Sequence, residues 1–484
     1  MGSDIALVAA AAGHRVLLYD VRPGAAAKAI ADQSLQMNKL VGRGKLEPTK
    51  AASRLDRLSI AERLDDLEGA ALIVEAIVED MEVKVSLFQQ LEAIAPQAIL
   101  ATNTSSLSIS ALGARLARPQ AFAGLHFFNP ATVLPLVEVV RGASTDPQVV
   151  ETLRLTAVAW GKSPVCCEST PGFIVNRVAR PFYGEALALL TERATDPATL
   201  DAIIKECGGF RMGPCELMDM IGHDVNFAVT RSVFDNFFYD PRYRPSLVQK
   251  ALVDAGWLGR KSGRGFYLYG DQATPPAPAT EPPHPCPPSV DWGASLGPAN
   301  ALADLAADIP GLRGAAGDVI QLADIDLRLT DGRTAAEVTA ERGRPTVLFD
   351  LAIDYAKASR IAIAAPSGVS VEAVIGLFQR LGKAVSRVDD VPGLIVARTV
   401  AMLVNEAAEA ALQGVASAAD IDLSMVKGVN YPFGPLALGD RLGPPWVVKV
   451  LDNLARAYPE GRYRASQLLR RRAFEGRPLR EIAV

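Results

Sequence analysis

His126 and Glu138 are the residues whose types and positions could move a proton. The chain has four histidines, so each can be weighed. His14 sits in a Gly-His-Arg turn, His284 in a proline-rich stretch and His223 in a connection between helices. Only His126 closes a buried apolar run, Phe122-Ala123-Gly124-Leu125-His126, after which Asn129-Pro130 breaks the chain into a loop. An imidazole, with an ordinary pKa of about 6.5, can take up and return a proton near neutral pH. Glu138 lies in the next apolar run, Leu136-Val137-Glu138-Val139-Val140, where an unpartnered carboxylate is costly. His126 is its natural partner, since Glu138 would hold one imidazole tautomer and stabilise the imidazolium formed on proton uptake. On the residues alone, a satisfied structural histidine is the more usual occupant of such a place, and that alternative stays open.

A second feature stands at the start of the chain. Gly2 opens a helix from Ser3 to Ala12, Gly13 ends it, and a strand follows that closes on Asp20. That order is the back half of a dinucleotide-binding βαβ unit. Asp20 stands where an acid accepts hydrogen bonds from the adenosine ribose hydroxyls, and a carboxylate there repels a 2′-phosphate. NAD is therefore expected over NADP, with Arg22 as a counter-signal and a plain turn acid as the alternative reading. The full fingerprint has a first strand and two glycines before a last one, and only that last glycine, Gly2, is present. The expectation is a start site assigned too late, with an apolar strand and Gly-x-Gly in frame upstream of Met1. The rival expectation is a chain that binds NAD poorly.

These residues need a scaffold, and the apolar pattern supplies one. Short runs at 16–19, 71–76, 99–102, 122–126 and 136–140 alternate with helical stretches. Continuous apolar strands separated by helices imply a mostly parallel sheet covered on both faces. The expected fold is a Rossmann-type α/β domain over residues 1–168, its first strand missing, followed by all-α helical domains. Residues 169–270 read as helices, for example Phe173 to Leu190 and Leu200 to Glu206. Eight prolines between Pro275 and Pro288 mark an extended linker over 271–298. Residues 299–388 read as a reduced α/β segment, with strands near Thr346–Asp350 and Arg360–Ala364.

The tail repeats the middle. Pro171-Gly172-Phe173-Ile174-Val175-Asn176-Arg177 matches Pro392-Gly393-Leu394-Ile395-Val396-Ala397-Arg398 at a constant offset of 221 residues (392 − 171). The same offset relates Glu185 to Glu406, Asp219 to Asp440 and Gly222 to Gly443, and it slips by one before Arg242-Tyr243-Arg244, which answers Arg462-Tyr463-Arg464. Residues 389–484 are thus expected to be a second copy of the helical domain. The second copy has Ala397 where the first has Asn176, and residues 299–388 hold no counterpart of Gly-Leu-His-Phe-Phe-Asn-Pro, so one active site per chain is expected. The copies are expected to dock as an intrachain pseudo-dimer, with a homo-oligomer of whole chains left open.

Composition narrows the remaining classes. At 484 residues the chain exceeds one core, and 49% hydrophobic with 21% charged residues is an ordinary globular balance. A net charge of −4 gives no sign of a nucleic-acid surface. The five cysteines form no CxxC pair and no disulfide framework, which fits a reducing cytoplasm; no metal site is expected. Adjacent Cys166 and Cys167 read as small buried thiols on a strand. Ile5 to Gly13 is too short for a membrane span and lacks the basic start of a signal peptide.

Four segments together carry a family resemblance: Asn103-Thr104-Ser105-Ser106-Leu107, Gly124-Leu125-His126-Phe127-Phe128-Asn129-Pro130, Leu136-Val137-Glu138-Val139-Val140 and Thr170-Pro171-Gly172-Phe173-Ile174-Val175-Asn176-Arg177. Residues 1 to about 270 resemble 3-hydroxyacyl-CoA dehydrogenases. The duplicated tail and Ile221-Gly222-His223-Asp224-Val225-Asn226-Phe227 most resemble the long bacterial form acting on 3-hydroxyadipyl-CoA or 3-hydroxybutyryl-CoA in phenylacetate catabolism. The resemblance implies an acyl-CoA substrate whose secondary alcohol is oxidised with NAD, His126 serving as acid/base and Glu138 orienting it. It implies that Ser105 and Asn176 bond the substrate C3 oxygen, and that Gly2, Asp20, Glu79, Lys84, Ser105, Asn129 and Lys261 lie around NAD. Arg43 and Lys45 are candidates for the anionic CoA, with a solvated basic turn as the alternative. The rival to an enzyme is a non-catalytic structural relative, motivated by the short start.

Overall fold

The computed structural model describes residues 1–271, 273–309 and 311–481; positions 272, 310 and 482–484, which fall in the expected linker, reduced segment and second copy, lie outside the described residues. Two compact units emerge: residues 1–175 with 414–429, and residues 176–413 with 430–484.

The first unit opens with the helix Gly2–Ala11, ended by Gly13 at a φ of 105°, a conformation that glycine adopts without steric cost. Strands β1 (Val16–Leu18) and β2 (Leu58–Ile60) pair in parallel as a sheet of their own. A second sheet runs in the order β3 (Leu72–Glu75), β4 (Ile99–Thr102), β5 (Phe122–Phe127), β6 (Leu136–Arg141), β7 (Ser163–Glu168). All neighbours in it are parallel except β5 and β6. The opening helix is apolar on two sides. Ala6 and Ala10 pack with Leu58, Val16 and Leu18, while Ile5 packs with Ala101, Ala123 and Leu125. The helix Ala418–Gly428 belongs to this unit, where Gly428 lies so close to Leu136 that a Cβ would meet it at 2.5 Å.

The second unit holds the helices Arg180–Thr191, Pro197–Glu206, Pro214–Ile221, His223–Asn236 and Leu247–Asp254. A seven-stranded sheet follows, in the order β14-β13-β12-β11-β10-β8-β9. Its strands are β8 Val290–Gly293, β9 Leu312–Ala315, β10 Ile320–Leu322, β11 Ile325–Leu329, β12 Thr346–Phe349, β13 Arg360–Ala364 and β14 Ala384–Arg387. The end of the proline-rich segment is therefore a strand. The rest is strapped down: Glu281 N–H donates to Val385 O at 2.8 Å, and His284 N–H to Gln379 Oε1 at 2.8 Å. Prolines keep this segment extended without stopping its remaining backbone groups from bonding. The helices Val396–Leu412, Pro435–Leu442, Pro444–Ala457 and Gln467–Glu475 complete the unit. Among the described residues no helix is long and apolar enough to cross a membrane.

The turns that open the two matched segments have the same shape. Gly172 and Phe173 have φ of 75° and 48°, and Gly393 and Leu394 have 77° and 51°. Each turn presents backbone N–H groups to a buried carboxylate. Glu138 accepts from Ile174 N (3.1 Å) and Val175 N (2.9 Å). Asp350, which follows β12, accepts from Ile395 N (2.9 Å), Val396 N (2.7 Å) and Ala397 N (2.9 Å). Burial nevertheless pushes the Asp350 carboxyl up to about 6.

Candidate active site

His126 and Glu138 are cross-strand register partners of β5 and β6. His126 Nδ1 lies 2.7 Å from Glu138 Oε2, and the other oxygen of Glu138 is held by the two N–H groups of the 174–175 turn. Both oxygens of this buried carboxyl group thereby have donors, which is what makes it tolerable there. With Oε2 as the acceptor, Nδ1–H is the donor, and the lone pair of the neutral ring then resides on Nε2. Phe128 and Phe173 pack against the imidazole, at 4.6 and 5.9 Å between ring centroids. A ring fixed at one nitrogen and walled by aromatics has one nitrogen left for proton exchange.

Ser105 sits in the loop that leaves β4, and Glu79 shapes that loop. Its Oε1 accepts from Thr104 Oγ1 (2.6 Å), Ser105 N (3.0 Å), Ser106 N (3.1 Å) and Ser106 Oγ (2.8 Å). Burial works to raise the Glu79 carboxyl, but the bonds from Thr104 and Ser106 and the nearby Lys84 outweigh it and hold it below the ordinary range. Lys84 is 1% exposed in its side chain and pairs with Glu75 at 2.6 Å and Glu79 at 3.4 Å. Glu75 also accepts from Thr102 Oγ1 at 2.7 Å. Asn103 Oδ1 accepts from Phe127 N at 2.8 Å, tying the Ser105 loop to the strand end that carries His126.

Glu75 and Asn103 were not singled out from sequence. Their work depends on the register of β3 against β4 and of β4 against β5, which composition does not reveal. The one local signal was an acid closing an apolar run and followed nine positions on by Lys84.

The remaining expected residues are placed as follows. Asp20 follows β1 and is bonded by Arg22, backbone N–H at 2.9 Å and Nε at 3.1 Å, and the Arg22 side chain lowers its carboxyl from the ordinary range. Gly2 begins the first helix, and a Cβ there would meet Ala76 Cβ at 3.7 Å. Asn129 is exposed beside the cis Asn129–Pro130 bond. Arg43 and Lys45 are exposed at the end of the helix Ala25–Gly42. In the second unit, Asn176 directly follows the Glu138-bound turn and its carbonyl accepts from Arg180 Nε at 2.7 Å. Lys261, also there, pairs with Asp224 at 2.5 Å.

Comparison with known proteins extends this geometry. The family model for the 3-hydroxyacyl-CoA dehydrogenase NAD binding domain matches residues 1–170. The model for the C-terminal domain matches twice, over 172–269 and 393–481, and one for a 3-hydroxybutyryl-CoA dehydrogenase reduced Rossmann-fold domain matches 327–392. The 3-hydroxyadipyl-CoA dehydrogenase of Escherichia coli K12 is 44% identical over 478 residues, 98% of this chain and 95% of that protein. This chain belongs to the 3-hydroxyacyl-CoA dehydrogenase family. The crystal structure of a 3-hydroxybutyryl-CoA dehydrogenase from Escherichia coli K12 superposes with a TM-score of 0.91 at 43% identity, covering 98% of this chain and 96% of that one. A probable 3-hydroxybutyryl-CoA dehydrogenase of Bacillus subtilis is 39% identical and matches 57% of this chain and 96% of its own.

As a 3-hydroxyacyl-CoA dehydrogenase the chain is an NAD-dependent oxidoreductase with a Rossmann-type domain followed by helical structure. The reading as a non-catalytic relative is not favoured. The first unit fits a dinucleotide on physical grounds too. Val21 is 80% exposed just past β1, and Ile77 and Val78 are 43% and 64% exposed just past β3. Apolar side chains bared at the carboxyl ends of strands are what flat rings pack on, and the partly exposed carboxylate of Asp20 directly precedes Val21.

Proposed function

We propose that His126 is the acid/base of a (3S)-3-hydroxyacyl-CoA oxidation, with Glu138 holding its ring. The 2.7 Å contact between Nδ1 and Glu138, whose other oxygen is held by the 174–175 turn, supports this most. His126 Nε2 takes the C3 hydroxyl proton while the C3 hydrogen departs as hydride. NAD, when bound, supplies the hydride acceptor. Glu138 stabilises the imidazolium that results; in the reverse direction His126 returns the proton. Ser105 and Asn176 are proposed partners of the C3 oxygen, and Arg43 and Lys45 of CoA. Gly2, Asp20, Glu79, Lys84, Ser105, Asn129 and Lys261 are the residues proposed to hold NAD, Glu79 and Lys84 through the loop that they shape.

The substrate proposed is 3-hydroxyadipyl-CoA, in phenylacetate catabolism and a reducing cytoplasm. The relative of that name matches nearly the whole chain, and all five cysteines are free thiols. Comparing kcat/KM for 3-hydroxyadipyl-CoA and 3-hydroxybutyryl-CoA by NADH absorbance tests it. A higher value for the dicarboxylic thioester is expected; a clear preference for the butyryl substrate would remove the assignment.

The architecture has a finer reading as well. The two sheets of the first unit read as one nucleotide-binding sheet with a strand position unfilled between β1 and β3, since a single helix packs on both. Residues 1–168, 169–270, 271–298, 299–388 and 389–484 remain the proposed divisions, the last being a second copy of the helical domain. The copies are proposed to pair as an isologous interface would. Arg177 meets Glu406 (2.7 Å) and Arg398 meets Glu185 (2.9 Å), while Tyr243 and Tyr463 donate to Glu406 and Glu185.

A further inference from the structure

Arg177 and Arg398 occupy matched positions, yet their surroundings differ in charge. Arg398 Nε donates to Glu185, Nη1 to Glu192 (2.8 Å), and Nη2 to Glu192 (2.8 Å) and Tyr463 (2.6 Å). Tyr458 adds its hydroxyl to Glu192 at 2.8 Å, and Arg462 also pairs with Glu185. Two guanidinium groups thus face two carboxylates. At the other pole Arg177 and Arg242 share one carboxylate, Glu406. The residue matching Glu192 at the 221 offset is Gln413, whose side chain bonds Glu409 (3.0 Å) instead. The ring over Arg177 is Phe237, at 4.9 Å, where Arg398 has the hydroxyl-bearing Tyr458 at 4.9 Å.

Arg177 and Arg242 thus have a single carboxylate within bonding distance of their guanidinium groups, and both are buried; the other acids of this pole, Asp240 and Glu409, engage Arg464 and Gln413 instead. Arg177 is 0% exposed, and among the described residues its Nη1 and Nη2, with Nε of Arg242, have no hydrogen-bond partner. Buried donors with no acceptor are costly, and orphaned buried donors call for a ligand. Donors from two guanidinium groups that share one carboxylate favour an anion over water.

We propose that Arg177 and Arg242 form a structural site for a small monovalent inorganic anion, of which chloride is the representative. The anion replaces the carboxylate lost at Gln413 and the hydroxyl lost at Phe237. The inference rests on the pairing of the two helical copies proposed above.

Crystals of the full-length protein grown in bromide, with data collected at the bromine edge, test it. An anomalous peak beside the Arg177 guanidinium, with none at Arg398, is expected. The peak should vanish in the double variant Phe237→Tyr/Gln413→Glu, which restores the chemistry of the other pole and leaves the proposed catalytic residues untouched. In solution the unfolding midpoint should climb by a few degrees as chloride replaces gluconate at fixed ionic strength, since only the folded state binds the anion. Crystals with no bromide at Arg177 would overturn the site. If those crystals still contain the Arg177–Glu406 and Arg398–Glu185 pairs, the pairing of the copies survives that result; if they lack the pairs, both readings fall.

Discussion

Glu138 reaches His126 across an antiparallel strand pair and, with its other oxygen, caps the turn at Ile174 and Val175. The imidazole is thus oriented by backbone register and by a turn whose glycine and phenylalanine both hold positive φ. Glu138→Gln keeps the size but changes what the group can donate. Its amide can serve the turn or the ring, not both, and an N–H aimed at Nδ1 selects the wrong tautomer. A fall in kcat of about one to three orders of magnitude is expected, with the dissociation constant for NADH nearly unchanged. Loss of NADH binding in parallel with kcat would mean that Glu138 supports the fold rather than the ring.

Asp20 bears on cofactor choice. Asp20→Ala removes the proposed ribose acceptor and also frees the Arg22 guanidinium, which Asp20 now engages. Discrimination against NADPH should fall, because a released arginine can meet a 2′-phosphate. If the ratio of kcat/KM for NADH and NADPH stays as in the parent protein, Asp20 is only a turn residue.

The paired poles of the second unit give a stability and a pH prediction. Glu185 and Glu406 are fully buried; burial works to raise their carboxyls, and the facing arginines, with a tyrosine hydroxyl, outweigh it and hold both below the ordinary range. A depressed folded-state pKa means that the unfolded chain binds the proton more tightly. The stabilisation is then full above the ordinary glutamate pKa of about 4.3 and is lost as pH falls through the folded value. Glu406→Gln leaves Arg177 and Arg242 without their carboxylate and should destabilise by about 3–5 kcal/mol at pH 7. Its denaturant midpoint should also fall less steeply below pH 4 than that of the parent. Parallel pH profiles would show that Glu406 does not contribute to acid sensitivity.

The pairing of copies can be tested by truncation. Removing residues 290–484 strips Glu185 of Arg398 and Arg462 and takes Gly428 away from Leu136. Sedimentation should report a homodimer or aggregate. A soluble monomer would contradict the idea that the second copy stands in for a partner subunit.

Parts of this arrangement were readable from the residues and parts were not. The strands at 122–127 and 136–141 and the partnership of His126 with Glu138 follow from two apolar runs that each contain a polar group needing satisfaction. The antiparallel direction of that pair does not follow from the runs themselves, although the connection from Phe128 to Pro135 is too short for a parallel crossover. Glu75, Lys84 and Asn103 gain their roles only once β3, β4 and β5 are in register. The strand at Val290–Gly293 was hidden by the prolines before it. The helix Ala418–Gly428 reads in sequence as part of the tail, yet it groups with the first unit through apolar contacts at Leu136 and Val175 that no local pattern encodes.

The central claim is that His126 Nε2 exchanges the proton with the substrate's C3 oxygen. The most direct measurement is kcat of His126→Gln with 3-hydroxyacyl-CoA and NAD, alongside the NADH dissociation constant of the same preparation. Glutamine can keep a hydrogen bond to Glu138 but has no nitrogen that titrates near neutrality. A loss of about two to four orders of magnitude in kcat, with NADH binding nearly unchanged, is the predicted result. Turnover close to that of the parent protein would contradict the account.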